Sequence, residues 1–340
     1  MKKLMLALIS LGGIILLLAY PKEIREGISD GLSLCGGVII PSLFPFMAVA
    51  GMIMRLGAAE ILARPIRWMM PLLFRLPKAA GGAFLLSLIG GYPVGAAAVA
   101  SLYEKGEIDR KSGARMLTFC ANAGPGMVVV AIGKVLMGSI AVGWVIYLSH
   151  IAAAIATGWI FARFGEPAVI DKKASFIKSE GVADAFVGGV SDASLQMVTV
   201  CGYVTLFCSI NGVLKAWGAE YLTALAEVTC GTRWAVQEGL SAAVVCGILG
   251  FGGFSVICQI LALSHRLIGI KRLLLARLLN GVLGWAVCRA AIKLLPQSLM
   301  TMSNTALPLN WALPHSVALS VSMLIMAAVF MVSVGQMQKS

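Results

Sequence analysis

Charge is scarce in this chain. Only 12% of its 340 residues are Asp, Glu, Lys or Arg, against about 25% in a soluble domain. Acidic residues are the scarcer kind, 15 against 27 basic ones. The chain also lacks a phosphate-cradling G-x-x-x-x-G-K-[ST] loop and an H-E-x-x-H helix. A nucleotide-driven pump and a zinc protease are therefore not expected. None of the eight cysteines stands in a C-x-x-C pair, and His150, His265 and His315 have no partner at ligand spacing. These absences lead to an expectation of no disulfide framework, no metal, no cofactor and no enzymatic activity.

Apolar sequence fills the space. The chain is 59% hydrophobic, with a mean hydropathy of +0.91. A membrane span takes about 20 apolar residues, so the length admits roughly eight to ten crossings or half-crossings. The expected fold is an all-α polytopic membrane protein in contact with the lipid bilayer. The net charge of +12 would suggest nucleic acid in a soluble protein. Here Lys and Arg lie in the gaps between apolar segments, as they do in cytoplasmic loops of membrane proteins, and no nucleic-acid partner is expected.

Met1-Lys2-Lys3 followed by Leu4 to Tyr20 has the shape of a signal peptide without an A-x-A site. The reading is an uncleaved first span within residues 1–27. Residues 28–164 form a first repeat with a linking span, 165–184 a polar connector, 185–311 a second repeat, and 312–340 a C-terminal span. Pro41 to Pro45 interrupts the apolar run Ile28 to Met54. Arg55 to Lys78 reads as a short interfacial helix with Trp68 at headgroup level.

Three apolar segments are broken near their middle, at Gly90 to Gly95, Asn122 to Gly126 and Gly250 to Ser255. An unsatisfied backbone group in lipid costs several kcal/mol, so such breaks belong where protein or a water-filled cavity surrounds them. Clustered breaks with polar side chains beside them are how transporters present backbone to a ligand.

The chain also echoes itself at an offset of about 161, placing Phe46 on Phe207, Gly51 on Gly212 and Gly57 on Gly218. The Gly90 and Gly250 breaks then align, and Asn122 falls close to Asn280. The loop charges favour an inverted repeat with broken or re-entrant helices at mid-membrane. One loop conflicts with strict symmetry. A re-entrant hairpin at Gly250 to Ser255 would put Arg266, Lys271, Arg272 and Arg277 outside, whereas a crossing there would put them inside.

Ionisable and amide side chains inside spans default to functional candidates. Lys134, Glu227, Gln259, Arg277 and Asn280 are such groups, whereas Arg289 and Lys293 read as interfacial anchors. A cationic cavity of Lys134 and Arg277 faced by half-helix N-termini would suit an anion. With the break residues added, the candidate substrate-binding set is Ser42, Gly91, Tyr92, Pro93, Gly95, Asn122, Pro125, Glu227, Gly252, Gly253, Ser255, Gln259, Arg277 and Asn280.

Several motifs occur in a familiar order. They are Ile40-Pro-Ser-Leu-Phe-Pro-Phe46, Gly91-Tyr-Pro-Val-Gly-Ala96, Leu102-Tyr-Glu-Lys-Gly106 and Cys120-Ala-Asn-Ala-Gly-Pro125. Glu227-Val-Thr-Cys-Gly231, Gly250-Phe-Gly-Gly-Phe-Ser255 with Gln259, and Ala276-Arg-Leu278 follow. Together they resemble the sporulation integral membrane protein family typified by YlbJ (SpoVV), with nucleoside-recognition Gate domains. The resemblance implies a multi-pass protein of the bacterial cytoplasmic membrane or outer forespore membrane that moves dipicolinate, a small organic dianion, during spore formation. Gate domains look like parts of nucleoside transporters, so a nucleoside or other small-solute transporter is the nearest rival reading. A non-transporting spore-envelope assembly protein is the rival from another class. Homo-oligomerisation is left open. Gly124 stands where the family motif usually has Ser, which removes one hydroxyl from the implied site.

Overall fold

The computed structural model describes residues 2–164 and 180–294. The C-terminal span, the end of the second repeat and most of the connector lie outside the described residues. Among those described there is helix and no strand. The all-α polytopic reading holds. Five helical segments are long and apolar enough to cross a membrane: Pro21–Arg55, Ile140–Phe164, Val182–Ala216, Ala242–Leu263 and Ile270–Leu294.

Helix α1 (Lys2–Ala19) takes the place of the expected first span. The next helix, α2 (Pro21–Arg55), corrects the expected interruption at Pro41 to Pro45. Proline removes a donor and clashes with the carbonyl four residues back. The turn before it, Cys35–Ile39, opens into a π-helix. Ser42 Oγ donates to Val38 O at 2.6 Å, which occupies a carbonyl at this junction. The helix therefore passes both prolines. It lies antiparallel to α10 (Val182–Ala216), with Gly27 on the Cys208 backbone, Gly31 on Thr205 and Gly51 on Gly189. Small residues let two backbones approach in a membrane, where dispersion contacts drive association. Arg55 closes the end of this seam on Glu180 at 3.0 Å and Asp192 at 2.9 Å.

Arg55 to Lys78 forms two short helices, α3 (Ala58–Leu62) and α4 (Met69–Phe74), rather than one, and Trp68 is exposed. Next come α5 (Ala80–Gly90) and α6 (Tyr92–Glu104), joined through Gly91 alone. Gly91 has φ 87°, a left-handed value that glycine takes without strain. Ser87 Cβ lies 2.7 Å from where a methyl on Gly95 would sit. A straight helix would hold residues eight apart at about 12 Å, so the chain doubles back as a hairpin.

Then α7 (Arg110–Met116) leads through an extended stretch at Ala121 to Gly124 into the π-helix α8 (Gly126–Leu136). The long α9 (Ile140–Phe164) returns antiparallel, packing Gly143 on Gly133.

After α10 the chain makes a second hairpin, α11 (Thr223–Ala226) and α12 (Val228–Gln237), with Glu227 at its tip. A methyl on Gly231 would lie 2.5 Å from Ala224 Cα, seven residues away. The pair α13 (Ala242–Phe251) and α14 (Gly253–Leu263) behaves differently. Here α13 runs antiparallel to α15 (Ile270–Leu294), with Gly247 near Gly281 and Gly284 near Cys246. Ala242 thus lies towards the far end of α15 and Leu263 near its start, so the chain bends at Gly252 and keeps crossing.

This geometry removes the charge conflict. His265 Nε2 lies 3.1 Å from Glu104 Oε1, and Arg110 Nη2 donates to Arg266 O at 3.4 Å. The basic loop at Arg266 therefore shares an end of the molecule with Lys105, Arg110 and Lys111, in keeping with one positive side.

Candidate functional site

A helix break leaves carbonyls and amides without partners, and lipid supplies none. Arg277, fully buried on α15, supplies donors at two of the breaks. Its Nε donates to Phe251 O at 3.0 Å and its Nη2 to Leu249 O at 3.2 Å, both in the last turn of α13. Its Nη1 donates to Ala121 O, beside Asn122. The hairpin tip joins as well: Tyr92 Oη donates to Leu249 O at 2.7 Å, and the Tyr92 ring lies 5.4 Å from the guanidinium carbon. One cation thus ties together the three breaks that the sequence singles out. Carbonyls at a helix C-terminus carry the negative end of its dipole, which favours a cation there. None of these partners is a carboxylate. Three of the five guanidinium N–H groups are engaged by these bonds, and the positive charge is not neutralised by contact.

Amide groups surround this node. Asn122 is fully buried and donates to Phe119 O at 2.8 Å and Ser87 Oγ at 3.4 Å, while its Oδ1 has no partner among the described residues. Asn280, three residues after Arg277 and so on the same helix face, is fully buried, and neither of its amide atoms has a partner among the described residues. His150 Nε2 accepts from Ala123 N at 3.1 Å, and its Nδ1 has no partner among the described residues. Buried polar groups are almost always satisfied. Asn122, Asn280 and His150 thus bring unpartnered polar atoms to the neighbourhood of one buried cation among the described residues.

The second hairpin reaches the same region from its other flank. Glu227 caps α12, its Oε2 accepting from Cys230 N at 2.7 Å, and it is buried. A methyl on Gly253 would meet Ala226 O at 3.1 Å and Glu227 N at 3.2 Å. Glu227 therefore sits at the Gly252-Gly253 bend.

The remaining candidates fall around these two centres. Gly91 and Pro93 shape the first hairpin tip, and Gly95 presses on the Cys120 backbone. Pro125 opens α8, and Ser42 lies against Gly126 with its hydroxyl turned to its own helix. Ser255 and Gln259 bond each other on α14, Gln259 Nε2 donating to Ser255 Oγ at 3.0 Å. Lys134 is exposed on α8, so it does not share a buried cavity with Arg277. The expected two-cation cavity is absent, and half-helix carbonyls face Arg277 rather than half-helix amides. Arg289 is exposed and lies over Trp285 at 5.5 Å, as an interfacial anchor does.

A cavity of about 590 Å³ lies beside the first hairpin. Leu86 and Val94, from either side of the hairpin, line it together with Gln196, Arg55, Glu104 and Lys105.

Sequence reading misses His150 and Ser87. His150 stands in an uninterrupted apolar span and offers no spacing signal, and Ser87 is one hydroxyl in an apolar helix. It also misses that Cys208, Glu227 and Cys230 come together with donor atoms within 4.8 Å of one another. One nucleophile-elbow spacing occurs, Gly27-Ile28-Ser29-Asp30-Gly31, but it lies inside α2 and not on the strand-turn-helix that the motif requires.

No protein-family model matches the chain, and no solved structure matches it. The chain is similar to the sporulation integral membrane protein YlbJ of Bacillus subtilis (strain 168), with 25% identity over 313 residues, 78% of this chain and 76% of YlbJ. The chain is YlbJ-like. The resemblance carried by the motifs thus holds at the level of YlbJ. Together with five apolar helices of spanning length, it makes this a multi-pass membrane protein.

Proposed function

We propose that this protein is a membrane transporter for a small organic anion, with dipicolinate as the first candidate, working during spore formation. The observation that carries the reading is Arg277, a buried cation joined to the helix breaks and ringed by the orphaned amides of Asn122 and Asn280. A fixed positive charge with one free amide donor beside it, Asn280 Nδ2, favours an anion over a cation, while Asn122 Oδ1 and Asn280 Oδ1 are free to accept from a hydroxyl or water. The cavity beside the hairpin has the volume of a small-molecule site, within about 300–1,000 Å³, but it is lined by Arg55, Lys105, Glu104, Glu180 and Asp192 and not by Arg277, so it bears on passage of a solute and not on the Arg277 site. Dipicolinate itself is chosen from the family resemblance.

Element order supports alternating access. Each half reads as a long span, a hairpin, a broken crossing and a long span. The α5–α6 hairpin enters from the end that carries Arg55, and the α11–α12 hairpin enters from the opposite end. On this reading Gly91 pairs with Glu227 and Asn122 with Gly252, an alignment different from the offset of about 161 that sets Gly90 against Gly250. Paired breaks in inverted halves are the arrangement of secondary transporters.

Dipicolinate uptake by proteoliposomes, with nucleosides as competitors, tests the proposal. Asn280→Ala is the informative variant, because it removes amide atoms that bond nothing among the described residues. Its thermal stability is expected to stay level or rise by about 1 kcal/mol, while uptake falls. Uptake unchanged by Asn280→Ala and by Arg277→Gln would refute the anion site. Competition by nucleosides would favour the neutral-solute reading, which the amide-rich surroundings of Arg277 also suit. Absence of any uptake by folded, inserted protein would move the reading to envelope assembly.

A further inference from the structure

Cys208 lies on α10 and Cys230 on α12, and their Sγ atoms are 3.3 Å apart. Glu227 completes a trio whose donor atoms all lie within 4.8 Å of one another. Among the described residues, neither thiol has a hydrogen-bond partner other than the other thiol. We propose that Cys208, Glu227 and Cys230 form a binding site for a thiophilic divalent cation of the zinc class. The site stands whether or not the protein carries a solute.

The donor set fits that ion. Zinc takes cysteine sulfur at about 2.3 Å and carboxylate oxygen at about 2.0–2.2 Å, which places two sulfurs on a tetrahedral centre about 3.8 Å apart. The observed thiol spacing needs to open by only about half an ångström to reach that geometry. The carboxylate is already oriented, because Cys230 N donates to Glu227 Oε2 at 2.7 Å. Hydrogen bonds of this kind fix ligand orientation in metal sites. Cys230 also stands in the first turn of α12, where the amide-rich helix end favours a thiolate. Two thiolates and a carboxylate bring three negative charges against the two positive charges of the ion. The fourth tetrahedral position is left for water. Binding releases the thiol protons to solvent, so affinity rises with pH.

The ion would fasten the tip of the second hairpin to α10. Glu227 lies against Gly253, so an occupied site holds that bend in one position.

The test is titration of the full-length, chelator-treated protein in lipid nanodiscs with Cd²⁺ and with Co²⁺. One equivalent is expected to bind, with the ultraviolet thiolate-to-cadmium band and the visible bands of tetrahedral cobalt. Cys230→Ser and Glu227→Gln are each expected to weaken binding by about tenfold or more. Cys258→Ser, half-buried on α14, is expected to leave it unchanged. Cys208 is fully packed, so the half-buried Cys230 carries the test should Cys208→Ser fail to fold. Unchanged stoichiometry and spectra in Cys230→Ser would overturn the site. So would the absence of any thiolate band in folded wild type, or a Cys208–Cys230 disulfide found by peptide mapping of protein purified without reductant.

Discussion

The two hairpins meet the same bend with opposite chemistry. The first brings Gly91 and Tyr92, a tip of backbone and one phenol, whose hydroxyl bonds the α13 carbonyl that Arg277 also holds. The second brings Glu227, a buried carboxylate tied to its own helix start. One tip therefore reinforces a cation through its partners, and the other carries a buried carboxyl group that pairs with no cation among the described residues. Tyr92 is a positioning group on this view, while Glu227 is a titratable group that caps its own helix. A coupling or gating role fits Glu227 and not Tyr92.

The largest effects should come from the turns that make both hairpins possible. Gly95→Val would drive a side chain into the Cys120 carbonyl, and Gly231→Val into the Ala224 backbone. Each is expected to cost about 3 kcal/mol or more and to abolish monodisperse protein in size-exclusion chromatography. Tolerance of one but not the other would show that one hairpin is the softer.

Exchange at the tips separates the two roles more finely. Glu227→Gln keeps a hydrogen-bonding cap, so stability is expected to fall by only about 1 kcal/mol, while uptake is lost. Tyr92→Phe keeps the ring under Arg277 and removes one hydrogen bond, about 1 kcal/mol, and uptake is expected to persist. Reversed results, with Tyr92→Phe inactive and Glu227→Gln active, would break the comparison.

The smallest effect lies at the loop between the first hairpin and α7. Burial raises the Asp109 carboxyl pKa, but the bonds from Ser112 outweigh it and leave the group below its ordinary value of 3.8. A carboxyl depressed on folding contributes stability above its ordinary value and loses it as pH falls through the depressed one. Asp109→Asn should therefore lower the melting temperature slightly at neutral pH. The difference should vanish in acid below that value.

Much of this was legible in the residues. Gly91, Asn122 to Pro125 and Gly252 mark breaks because glycine and proline inside apolar sequence leave a helix few ways to continue. The break at Glu227 was less visible, since Glu-Val-Thr-Cys contains neither residue and its surroundings are only weakly apolar. Pro41 and Pro45 misled in the other direction. A π-turn and the Ser42 hydroxyl absorb them, and a widened turn has no sequence mark of its own. Arg277 was found by its charge alone, but its partners are carbonyls, which every residue has and no pattern reveals. The Cys208 and Cys230 pair stayed hidden because the two belong to different helices, 22 positions apart, a separation without periodic meaning.

The glycine seam between α2 and α10 also sets an order of birth. Gly51 and Gly189, which touch in the finished protein, leave the ribosome on the order of ten seconds apart at about 5–20 residues per second. Through that interval α2 is already in the bilayer with its partner not yet made, and Arg55 waits for Glu180 and Asp192. The first half must therefore be held open by lipid or by the insertion machinery until α10 arrives, while the packing of α15 on α9 and α13 comes later still.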